Sequence, residues 1–116
     1  MILNEINQLL FQLSKSIFQK EHVNTHYIHL YRLPGYWISF DKSAYFLSRL
    51  VSWDNVVVLE LPDCSYPVVA VYVRPEDLSD VYRQTSYIKV NDREQTLKTR
   101  LLLDGYEAWR NEEVDN

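Results

Sequence analysis

Apolar and polar positions along the 116-residue chain change period several times, and each change marks an element. Near the N-terminus Ile2, Ile6, Leu9, Leu10, Leu13, Ile17 and Phe18 recur at helical spacing on one face, with Asn4 available as a cap. From residue 26 the pattern alternates: Ile28 and Leu30 point one way, Tyr27, His29 and Tyr31 the other, which predicts a strand. Pro34-Gly35 is a turn signal, and a second short strand is expected from Tyr36 to Phe40. Asp41 then suits the N-cap of a helix whose apolar face holds Ala44, Leu47, Leu50 and Val51.

The second half repeats the theme. The β-branched runs at 56–62 and 67–73 read as buried strands separated by a turn. Pro75 fits the first position of a helix, with acids in its first turn where the helix dipole favours them. Residues 86–90 read as another strand. Asn91 or Asp92 then opens an expected helix through Leu97, Leu101 and Tyr106, kinked or broken by Gly105. The order α-β-β-α-β-β-α-β-α predicts an α/β (α+β) fold: a mixed β-sheet of about five strands packed by about four helices. One domain is expected over residues 1–110, with 111–116 as a frayed acidic tail.

Composition narrows the function classes. Net charge is -4, which opposes broad charge-driven binding to nucleic acid. The balance is uneven, +2 over residues 1–50 and -6 over the rest. Only the first half can approach a phosphate backbone without strong repulsion. The single cysteine, Cys64, has no partner for an internal disulfide and no basic residue close in sequence, so it reads as an inert thiol in a reducing, cytoplasmic setting. No apolar run reaches the roughly 18 residues of a membrane span. The N-terminus lacks the basic stretch of a secretory signal.

Catalytic and cofactor chemistry is not visible. Two glycines, Gly35 and Gly105, cannot build a phosphate-cradling loop. His22, His26 and His29 cluster with Glu21, but His26 and His29 are three apart on an expected strand and face opposite ways, so no metal is expected. Glu60, Asp63, Glu76, Asp77 and Asp80 could supply a carboxylate pair, yet helix-dipole placement explains the last of these without catalysis. The expectation is a protein that is not an enzyme and carries no cofactor.

The unusual feature is aromatic: nine tyrosines and three tryptophans. Such rings favour binding surfaces, and they stack on bases at about 1–3 kcal/mol each. Tyr36 and Trp37 are adjacent on a strand and so face opposite sides; packing alone would place Trp37 in the core and leave Tyr36 partly buried.

Leu30 to Ala44, "LYRLPGYWISFDKSA", resembles the signature of the N-terminal mismatch-recognition domain of MutS-type mismatch repair proteins. Tyr31-Arg32-Leu33 matches its Phe-Arg-apolar part. Pro34-Gly35 stands for Gly-Asp and Tyr36-Trp37 for Phe-Tyr; Phe40 and Ala44 match outright. Pro67, Val71, Leu78, Tyr87 and Val90 are similar to its second block, so the resemblance covers roughly residues 1–92. It implies weak binding of mismatched DNA through an aromatic wedge at Tyr36, with Trp37, Arg32 and Lys42 beside it. It also implies a departure. The family's base-contacting Glu is Ile38 here, which removes a hydrogen bond worth about 1.5–3 kcal/mol. The alternative expectation is a protein–protein interaction module, or a homodimer, using an aromatic acidic surface around Tyr66, Tyr72 and Tyr82.

Overall fold

The structure, a computed structural model, describes residues 2–52, 55–61 and 65–115; Cys64 and Asp63 lie outside them. Helix α1 (Ile2–His22) comes first, with Asn4 inside it rather than capping it. Strands β1 (Tyr27–Leu33) and β2 (Tyr36–Phe40) form the expected hairpin. Pro34 presets the turn, and Gly35 takes φ +79°, a value that L side chains rarely adopt. Then follow α2 (Asp41–Leu50), β3 (Asn55–Leu59) and β4 (Val68–Val73). A 3-10 turn at Pro75–Asp77 enters the short α3 (Leu78–Tyr82). Strands β5 (Ser86–Val90) and β6 (Glu94–Lys98) precede α4 (Tyr106–Asp115).

The α/β character is as expected, but the sheet is not mixed. Its six strands run in the order β3-β4-β2-β1-β6-β5, and every neighbouring pair is antiparallel. The additional strand is β6, in a stretch where the spacing suggests a helix. Period two wins there because Gln95 and Leu97 are buried alternately, with Leu97 opposite Ile28 of β1. Asn91 does not cap a helix. Its side-chain oxygen accepts the N–H groups of Arg93 and Glu94, both at 2.9 Å, and closes the β5–β6 turn. The helix begins only at Tyr106 and continues to Asp115, through the segment expected to fray.

Each face of the sheet carries a core. Under α1, Ile6, Leu10 and Ile17 meet Tyr31, Leu33, Ile38 and Phe40 of the central hairpin, with Val68 and Ala70 of β4. On the opposite face, Ala44, Phe46 and Leu47 of α2 and Leu78 and Val81 of α3 meet Ile28, Leu30, Trp37, Val71, Val73 and Leu97. Alternation along the strands sorts the side chains between these two cores. The last helix closes over the second core through Tyr106 and Trp109, both against Tyr45. Gly105 lets the chain pass there: a Cβ at that position would sit 2.7 Å from the Tyr45 hydroxyl. Among the described residues no helix is long and apolar enough to cross a membrane.

Candidate functional site

The central aromatic pair has gone into the two cores. Trp37 is 8% exposed and packs with the α2–α3 side. Tyr36 is half-buried on the α1 side, edge-to-face with Tyr72 at 5.1 Å and 87°. Ile38 is fully buried. Arg32 donates to the carbonyl of Asp92 at the hairpin end. Lys42 lies past the other end of β2, about 14 Å of strand from Tyr36, and donates to the carbonyl of His22. Arg32 and Lys42 therefore do not form one basic rim around the Tyr36 ring.

Nor do the three other tyrosines share a patch. Tyr66 is exposed beneath the Arg110 guanidinium, 5.0 Å from its ring centre. Tyr72 is occupied by Tyr36. Tyr82 donates to the Gln95 side chain at 2.7 Å and leans on Tyr87 at 5.2 Å. Lys42 and Tyr66 do come together, in a cleft of about 350 Å3 with His22, Asp41, Tyr106 and Arg110. Tyr106 donates to Asp41, whose backbone takes φ +54°. Burial raises the Asp41 pKa, while Arg110 and Lys42 pull it back toward the ionised form. The cleft holds charges of both signs against one another. Among the described residues no three histidines, cysteines or carboxylates gather where they could hold a metal ion.

A polar cluster is sealed between α1 and α2. Asp41 makes no side-chain cap for α2; the first-turn N–H of Ser43 is taken by Glu21 of α1 at 2.9 Å. Ser43 Oγ donates to the other Glu21 oxygen at 2.6 Å, and Asn24 Nδ2 adds a third donor at 3.2 Å. Ser43 Oγ also accepts the His29 N–H of β1. Burial outweighs these donors and raises Glu21 to about 7. A serine bonded to a carboxylate has the form of a nucleophile and its base. Here Ser43 is fully buried and Glu21 nearly so, and no substrate reaches them. Burial, reinforced by Lys20, lowers His29 to about 4, so its ring is neutral on the folded chain.

Some large apolar side chains remain outside. Phe11 is 92% exposed on α1, on the rim of a groove of about 1080 Å3. Leu10, Phe18, Val23 and Leu61 line the groove, with Lys15 and His22 beside them and no carboxylate among its described lining residues. The sequence signal is Phe11, two turns before Phe18: Phe18 is half-buried against Phe40 of the sheet, whereas Phe11 is left in water. Reading one apolar face for α1 does not account for Phe11.

No family model matches the chain, and no curated protein or solved structure matches it. The likeness to the mismatch-recognition signature thus has no family, relative or structural neighbour behind it.

Proposed function

We propose that this domain is a non-catalytic protein-docking module that seats an amphipathic, acid-flanked helix of a partner in the α1 groove. The observation that carries this reading is Phe11, a large ring left almost wholly in water beside an apolar groove. Exposed apolar surface of this kind marks interaction sites, and a helix laid into a groove is a recurrent mode of recognition. Charge selects the occupant. The chain is net -4, yet the described groove lining carries Lys15 and His22 and no acid. Carboxylates flanking the partner's apolar anchors would meet a cation there rather than a like charge.

The DNA-wedge reading ranks second on energetic grounds. Tyr36 would have to leave Tyr72, an aromatic contact worth about 0.5–1.5 kcal/mol, and then unstack a base step at a cost of a few kcal/mol. Ile38 brings no hydrogen bond to offset either.

The test uses a fluorescein-labelled synthetic helix with leucines along one face and glutamates beside them, and a twin carrying lysines instead. Anisotropy should rise with the glutamate helix on the wild-type chain. Phe11→Glu should weaken that binding at least tenfold, and Lys15→Glu should shift preference toward the lysine helix. Absence of binding, equal binding of the twins, or indifference to Phe11→Glu refutes the reading.

A further inference from the structure

We propose that the cleft where α1 ends, α2 begins and α4 passes binds a free α-amino acid with an aromatic side chain. Beside the His22 ring it is lined by two cations, Lys42 and Arg110, and two carboxylates, Asp41 and Glu107. None of these four closes on another: the close ion pairs among the described residues are Arg74–Asp77, Arg83–Asp80 and Lys89–Glu94. Lys42 and Arg110 donate instead to neutral carbonyls, those of His22 and Pro67. They are near enough to draw Asp41 toward its ionised form without bonding to it. Tyr106 takes one Asp41 oxygen, Oδ1. Glu107 is exposed, and its carboxylate has no partner among the described residues.

Unpaired charges of both signs in one cleft select the ligand. A simple anion drawn to Lys42 and Arg110 meets Asp41 and Glu107, and a simple cation meets the reverse. A zwitterion offers the right sign to each pair. An α-amino acid carries both ions on one carbon, which suits a site whose opposite charges adjoin, as Asp41 and Lys42 do in the chain. The walls choose the side chain. Phe18, Tyr66 and Tyr106 surround the space with rings, and aromatic groups pack well edge-to-face or offset against one another. The volume of about 350 Å3 is near the lower bound for small-molecule sites, roughly 300–1,000 Å3, and is the scale of one amino acid rather than of a large cofactor. Asp41 also holds φ +54°, uncommon for a residue with a side chain and frequent at ligand sites. These charges are open to water, so each contact is worth little and the binding is weak. The cleft shares only Phe18 and His22 with the described lining of the α1 groove, so this proposal does not rest on helix docking.

Titration of the full, isotope-labelled chain with phenylalanine at neutral pH, followed by amide chemical shifts, tests this. Amides at 41–42 and 106–111 should shift saturably at millimolar ligand. Phenylpropionate lacks the ammonium, phenethylamine the carboxylate and glycine the ring, and each should bind at least tenfold more weakly. N-Acetylphenylalanine and phenylalanine amide, which stand for the two ends of a peptide, should be weakened in the same way. Glu107→Gln, at an exposed position, should weaken phenylalanine but tighten phenylpropionate, whereas Lys42→Gln should weaken both. Phe11→Glu should leave phenylalanine binding unchanged, so the two proposals fail separately. No saturable shift with phenylalanine overturns the inference. So does equal binding of its analogues, indifference to both glutamine variants, or loss of binding with Phe11→Glu.

Discussion

Glu21→Gln should make the protein more stable than wild type at neutral pH, by a margin that grows as pH rises. The Glu21 carboxyl is buried among three donors, and burial raises its pKa from 4.5 to about 7. Each pKa unit is worth about 1.4 kcal/mol between folded and unfolded states, so the whole shift corresponds to about 3 kcal/mol. The sign follows from proton counting. Between pH 4.5 and 7 the folded chain holds a proton that the unfolded chain has released, so stability falls as pH rises through that window and is level above it. Against a typical total of 5–15 kcal/mol this is a large fraction.

Glutamine keeps the shape and removes the titration. Its oxygen can still accept the Ser43 and Asn24 N–H groups, and its amide can donate to Ser43 Oγ, whose own proton can turn to the Tyr27 carbonyl at 3.4 Å. Urea unfolding of both proteins from pH 4.5 to 8 is the assay. The quantity to follow is variant minus wild type, because every other titrating group, Asp41 included, cancels in that difference to first order. It should move by about 3 kcal/mol in favour of Glu21→Gln across the window. A difference independent of pH would refute the reasoning. A trend in the opposite sense would mean that the Ser43 and Asn24 donors outweigh burial and hold the carboxylate ionised.

Two further outcomes follow from other buried polar groups. His29→Gln should gain on wild type as pH falls from 6.5 toward 4, because the wild-type unfolded chain takes up a proton that the half-buried, Lys20-facing ring refuses until about pH 4; urea unfolding at the two ends of that range measures it. Its slope opposes that of Glu21, so the wild-type profile is flatter than that of either variant. Tyr31→Phe should stabilise by about 1 kcal/mol, read as a higher midpoint in thermal melts, because the Tyr31 hydroxyl is buried with no hydrogen-bond partner among the described residues; a lower midpoint would show that the hydroxyl has a partner after all.

Much of the fold is written in local periodicity, and what is not comes from contacts distant in sequence. The hairpin at Pro34-Gly35, the two β-branched runs and the amphipathic α1 and α2 follow from spacing alone. Strand β6 does not, because Leu97 and Leu101 fall four apart, as in a helix. Only the pairing with β1, some 70 residues earlier, selects the extended form. Antiparallel pairing of β2 with β4 is similarly hidden, since α2 and β3 intervene in the chain. In the sequence Glu21 reads only as a neighbour of His22, His26 and His29. It is instead the cap of the next helix, and that depends on Ser43, 22 residues on.

A sheet covered on one face can bury only one of two neighbouring strand residues, and the second ring would then be left for a partner or a base. This sheet is covered on both faces, so Trp37 and Tyr36 each have a core. Aromatic richness here is therefore weak grounds for a recognition surface, because most of it serves to fill two layers of a small domain. The informative positions are those that covering both faces still leaves outside. These are Phe11 on α1 and strand β5, all five of whose residues stay exposed although Tyr82 of α3 leans on Tyr87. A partner protein is best sought at those two places, and neither lies within Leu30 to Ala44, the stretch that resembles a mismatch-recognition signature.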